Sequence, residues 1–119
     1  MSKRILVVED DPNTRRMLAD RLERSGYSVE SASDGQEGLD ALQKGAFDGM
    51  ILDIYMPRLN GFDILRHLRE SRSLIPVMMI TGHPECADQA IAGGAKVCLI
   101  KPFSLDELKQ AVKRWIGPP

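Results

Sequence analysis

No apolar run in this chain approaches the roughly 20 residues that a membrane-spanning helix needs. The opening Met1-Ser2-Lys3-Arg4 carries charge but leads straight into a strand pattern. It lacks the apolar stretch and small-residue cleavage site of a secretory signal. Cysteine is scarce, with only Cys86 and Cys98. Neither forms a CxxC pair or sits near two histidines, which argues against a zinc site and for reduced thiols in a cytosolic protein. Charge of one sign is not in excess: 16 basic and 17 acidic residues leave a formal net charge of −1. Duplex binding usually needs a basic surface, so direct nucleic-acid binding is not expected. There is no P-loop lysine motif and no GxSxG. The chain therefore reads as cytoplasmic, without a membrane partner.

What is present suits one folded unit. The 119 residues, 43% hydrophobic and 28% charged, can bury a core without disulfide or metal staples. The expected domain is 1–119, with a core of about 3–116 and Gly117-Pro118-Pro119 as a tail or the start of a linker.

Short continuous apolar runs occur at Ile5–Val8, Met50–Leu52, Val77–Ile80 and Val97–Ile100. They are too short for good helices and too unbroken for half-exposed strands, so they read as buried strands of a parallel sheet. Tyr27–Ala32 alternates and reads as a more exposed edge strand. Amphipathic helices fall between the runs. The first opens with Asp11 as cap and Pro12 at the first helical position, carries Met17, Leu18 and Leu22, and stops at Gly26. Others span about 35–44, 61–71 and 84–92. The last opens on Ser104 and Glu107, a capping box, with Leu105, Leu108, Val112 and Trp115 along one stripe. The pattern predicts an α/β fold: a doubly wound, five-stranded parallel sheet with five helices.

In such sheets ligands collect beyond the carboxyl ends of the strands. Glu9, Asp10 and Asp11 follow the first strand, Asp53 the third, Thr81 the fourth and Lys101 the fifth. Clustered carboxylates repel one another unless a cation intervenes, and hard oxygen donors of this kind suit Mg²⁺. A carboxylate, a hydroxyl and an ammonium around a metal make a phosphoryl-transfer site, and carboxylates do accept phosphoryl groups. Read singly, each residue is also an ordinary turn, cap or surface residue; the reading rests on their convergence.

The strings ILVVEDDP at 5–12, ILDIYMPRLNGFDIL at 51–65, MMITGH at 78–83 and IKPF at 100–103 resemble the bacterial response-regulator receiver domain, from about Lys3 to Trp115. The resemblance implies the flavodoxin-like strand order 2-1-3-4-5. It implies that Asp53 is the phosphoacceptor and a metal ligand. Asp10 would bind Mg²⁺ directly, Glu9 through water and Tyr55 through its backbone carbonyl. Thr81 would be the switch hydroxyl, Lys101 would pair with the phosphoryl group, and the bond before Pro102 would be cis. Met56, Pro57 and Gly61 match the turn into the third helix. The implied partners are a sensor histidine kinase or phosphotransfer protein and, through the fourth and fifth helices, an output domain or protein target. The family also includes phosphorylation-dependent dimers.

Two positions depart from the usual pattern. Cys98 stands where the family carries a switch aromatic, which implies weaker or differently routed coupling. Tyr55 and His83 stand two residues beyond Asp53 and Thr81, where the family modulates phosphoryl lifetime. Two rivals fit poorly. A flavodoxin needs a Ser/Thr/Gly-rich phosphate loop where this chain has acids. A haloacid-dehalogenase-type phosphatase has a second Asp where this chain has Tyr55.

Overall fold

The computed structural model describes residues 2–119; Met1 lies outside them. The apolar runs become β1 (Arg4–Val8), β3 (Gly49–Asp53), β4 (Val77–Thr81) and β5 (Val97–Ile100), and the alternating run becomes β2 (Ser28–Ala32). All neighbours pair in parallel, in the order β2-β1-β3-β4-β5. The helices are α1 (Pro12–Arg24), α2 (Gly35–Lys44), α3 (Gly61–Glu70), α4 (Ala87–Ala92) and α5 (Leu105–Trp115).

Side chains alternate across a strand, so β1 feeds two cores. Ile5 and Val7 join Ile51, Met78 and Ile80 under α1 and α5, with Leu18, Leu22, Leu108 and Val112. Leu6 and Val8 join Met50, Leu52 and Met79 on the other face, with Ala41, Ile64, Leu65, Leu68 and Ala90. β3 and β4 are buried throughout. β2 is one edge, exposed as its alternation predicts; β5, expected as a buried strand, is the other edge and buries only Leu99, because it has a neighbour on one side alone. The stripes are narrower than the sequence suggests: Met17 and Leu105 are 39% and 37% exposed, because each lies at the rim of its helix's buried face.

The helix starts follow the capping chemistry. Asp11 accepts the Thr14 amide, and Ser104 and Glu107 cap each other. Asn60 and Asp63 form a second capping box at α3. The fourth helical segment, expected over 84–92, is instead a 3₁₀ turn at Pro84–Cys86 leading into a six-residue α4. His83 precedes it without a capping side-chain bond, so nothing ties the first turn into α geometry.

Three helices end alike. After α1, α3 and α4 the next-but-one amide bonds back to Leu22, Leu68 and Ala90, a Schellman closure that places the residue past the cap in the left-handed region. Gly26 and Gly94 occupy it after α1 and α4, but Arg72 does so after α3, at φ 58°. A side chain is strained there. Arg72→Gly is expected to stabilise the fold by about 0.5–1 kcal/mol; urea unfolding that shows a loss would count against the strain.

The chain's end packs back on the sheet's amino edge. The Tyr27 hydroxyl donates to the Gly117 carbonyl at 2.6 Å. A Cβ at Gly26 would stand 3.2 Å from the Pro119 ring, and one at Gly117 would stand 3.1 Å from the Lys3 stem.

Candidate functional site

The parallel register brings the strand ends to one edge. Val8 pairs with Leu52 and Ala32, Asp53 with Ile80, and Thr81 with Ile100. Whatever follows these residues is therefore gathered in one crevice. Among the described residues, the buried polar or charged side chains are Glu9, Asp53 and Thr81, and all three stand at this edge. Burying polar groups is costly unless they are partnered or serve a ligand.

Glu9 is fully buried. Its amide donates to the Ala32 carbonyl at 3.1 Å. Its carboxylate accepts the Lys101 ammonium at 2.8 Å and the Asp11 amide at 3.2 Å. Asp53 is 4% exposed and lies 3.5 Å from the same ammonium. Asp10 is exposed at the rim. Carboxylate oxygens of Glu9, Asp10 and Asp53 lie within 4.8 Å of one another.

The charges respond accordingly. Burial pushes the Asp53 carboxyl up to about 8, with the hydrogen bond and charge of Glu9 adding to the rise and Lys101 opposing it. Burial works against the Lys101 ammonium, but the Glu9 hydrogen bond and the Asp53 charge outweigh it, and its pKa rises. The cluster thus holds more negative charge than one ammonium neutralises. Oxygen-only donors a few ångströms apart with surplus negative charge fit a hard divalent cation. Asp11 turns away: its carboxylate accepts the Thr14 hydroxyl and amide at 2.7 and 2.8 Å. Those bonds hold its pKa below the usual value.

Local structure fixes these positions. α3 begins hard against the end of β3, where a Cβ on Gly61 would stand 2.5 Å from the Asp53 carbonyl. The Gly61 amide donates to the Ile54 carbonyl at 2.8 Å. Lys101 is anchored by its amide to the Thr81 carbonyl at 2.7 Å, and the Lys101–Pro102 bond is cis. Thr81 is fully buried, and its hydroxyl oxygen accepts the His83 amide at 3.0 Å.

Tyr55 is half-exposed, and its ring meets His83 edge to face at 4.5 Å between centroids. Its hydroxyl pairs with the Cys86 thiol at 3.2 Å. The loops after β3 and β4 are thereby joined beside Asp53. Sequence reading had no signal for Cys86 here, since the contact spans two loops. Cys98 lies opposite Met79 in the sheet and packs partly buried against the core. Burial pushes its thiol pKa up, the mark of an unreactive sulfur.

This constellation matches a known class. The family model "Response regulator receiver domain" matches residues 5–113, and the chain belongs to that family. It is a signalling domain of two-component systems. Its relatives include "Response regulator MprA" of Mycobacterium bovis, 42% identical over 111 residues covering 91% of this chain and 48% of that protein. Among solved structures, the chemotaxis protein CheY4 of Vibrio cholerae superposes with a TM-score of 0.89 at 34% identity, covering 97% of this chain and 99% of that one. The response regulator TrrA of Thermotoga maritima, solved in complex with Mg²⁺ and BeF, gives 0.87 at 34% identity, covering 94% and 97%. The chain spans less than half the length of the sequence relatives it matches.

Proposed function

We propose that Asp53 accepts a phosphoryl group from a histidine kinase, a phosphotransfer protein or a small acyl phosphate. The observation that carries this reading is the convergence of the Glu9, Asp10 and Asp53 carboxyl groups, within 4.8 Å of one another, around one lysine. An Asp53 carboxylate oxygen attacks phosphorus, the bond to the donor breaks, and an acyl phosphate forms. Lys101 and the Thr81 hydroxyl bind the phosphoryl oxygens. Glu9, Asp10, Asp53 and the Tyr55 carbonyl would hold Mg²⁺, which supplies charge neutralisation at the transferring group. Water later cleaves the same phosphoryl bond and restores the carboxylate, so the domain acts as a switch that catalyses only its own phosphorylation and dephosphorylation.

The bound dianion biases a two-state equilibrium. Thr81 moves toward it, and the surface near α4 and α5 changes its preference for an output domain, a protein target or a second copy. With Cys98 in β5 instead of an aromatic ring, this coupling runs through Thr81 and the backbone of α4. Residues 3–116 form the working unit, and 117–119 form a tail or linker. The protein works in the cytoplasm, alone or as part of a longer regulator.

The test is incubation with a small acyl phosphate and Mg²⁺, followed by intact-mass and peptide mapping. One phosphoryl group on Asp53, absent in chelator, is expected; no uptake under either condition would sink the reading. Lifetime is a separate matter. The Tyr55 ring, held against His83, shields the acyl phosphate from water. Tyr55→Asn is expected to speed the loss of phosphate by roughly tenfold, since one positioned group commonly governs about that much. An unchanged decay rate would remove Tyr55 from this role.

A further inference from the structure

α1 begins with an electrostatic misfit. Its first turn contains no acid, yet Arg15 sits at the fourth helical position, where the helix dipole disfavours a cation. Among the described residues Arg15 makes no ion pair. Its guanidinium instead turns back past the helix start. Nη1 donates to the Glu9 carbonyl at 2.9 Å and to the Asp10 carbonyl at 3.3 Å. No other hydrogen bond among the described residues reaches either carbonyl. Other groups of this loop are already tied: the Glu9 amide to Ala32, the Asp11 amide to the Glu9 carboxylate, and Asp11 to Thr14. Arg15 holds the Glu9–Asp10 peptide plane, which is otherwise untied among the described residues, and adds a second tie to the Asp10–Asp11 plane that the Asp11 amide already fixes.

We infer that Arg15 is a positioning residue for the cation site: its guanidinium holds the Glu9 and Asp10 carbonyls so that both carboxylates face Asp53. This rests on reading the acid cluster as a Mg²⁺ site. Groups that orient metal ligands from behind typically govern affinity by about 10–100-fold when removed.

The sign of the effect separates this role from simple electrostatics. A positive charge near a dication repels it, so deleting Arg15 for its charge alone would tighten Mg²⁺ binding. Loss of positioning weakens it. The neighbouring Arg16 is exposed on the outer face of α1 with Met17 and Asp20, and Arg16→Ala removes the same charge without touching the loop.

The experiment is calorimetric titration of the metal-free chain with Mg²⁺, for wild type, Arg15→Ala, Arg15→Lys and Arg16→Ala. Arg15→Ala is expected to weaken binding roughly tenfold. Arg15→Lys, which keeps the charge on a shorter side chain that cannot reach both carbonyls as Nη1 does, should recover part of that loss, and Arg16→Ala should match wild type. Amide hydrogen exchange at residues 9–11 of the metal-free protein should quicken in Arg15→Ala. Equal or tighter Mg²⁺ binding by Arg15→Ala, or unchanged exchange, overturns the inference. Should Arg15→Ala fail to fold, Arg15→Lys decides in its place, and wild-type affinity in that variant overturns it. If the wild type itself takes up no Mg²⁺, the reading of the cluster fails, and exchange at residues 9–11 alone decides whether Arg15 is a clamp.

Discussion

Asp53→Asn is expected to raise the melting temperature of the metal-free protein while abolishing its phosphorylation. The two outcomes share one cause. The Asp53 carboxyl is 4% exposed, and burial, then Glu9, push its pKa up to about 8 against an ordinary value of 3.8. Between those values the folded state binds more protons than the unfolded state. Stability contributed by this group is therefore fully present below about pH 4 and is lost as pH rises towards 8. Asparagine does not ionise and escapes that loss. The variant's advantage should grow steadily from pH 5 to pH 8, at up to about 1.4 kcal/mol per pH unit. Thermal unfolding in chelator at both pH values measures it; a gap that does not widen with pH would refute the assignment. Mg²⁺ should stabilise the wild type more than the variant, because binding to the folded state alone adds stability.

Lys101→Met should act in the opposite direction. The ammonium contacts Glu9 at 2.8 Å and Asp53 at 3.5 Å. Without it, the fully buried Glu9 carboxylate is left beside the Asp53 carboxyl with no countercharge. Removing one partner of a buried pair costs about 3–5 kcal/mol, and partial exposure of the lysine side chain reduces this to about 2 kcal/mol. Adding Glu9→Gln to Lys101→Met should restore most of the stability. If the double variant is no more stable than Lys101→Met, the cost arises elsewhere. Phosphoryl uptake by Lys101→Met should fall roughly 100-fold, as when a single preorganised donor is removed from a transition-state site. The double variant should not regain it. Stability and uptake would then respond separately to the same residue.

The fold was legible where hydrophobic period and local chemistry spoke together. Four unbroken apolar runs placed β1, β3, β4 and β5, though β5 lies at an edge and buries only Leu99; alternation placed β2 at the other edge, and Asp11, Ser104, Gly26 and Gly93-Gly94 marked helix ends. Since parallel strands deliver their carboxyl ends to one side, the gathering of Glu9, Asp53, Thr81 and Lys101 followed from the order of elements. What escaped depended on contacts distant in sequence or on unfavourable residues in special places. The end of α3 was read to within a residue, but its left-handed closure at Arg72 was not, because arginine carries no left-handed signal. Pairing of Tyr55 with Cys86 spans 31 residues. The 3₁₀ start before α4 reflects a missing cap, which composition does not reveal. Arg15 carried one faint signal, a cation in a first turn, whose meaning appears only when its reach to the Glu9 carbonyl is known.

The packing of Gly117 beside Lys3 and of Pro119 over Gly26 puts both ends of the folded unit at the pole opposite the acids. A host chain could therefore carry this module spliced into one of its own surface loops, entering and leaving through neighbouring points. The reactive crevice would then open outward, away from the graft, and stay accessible to a donor approaching from solution.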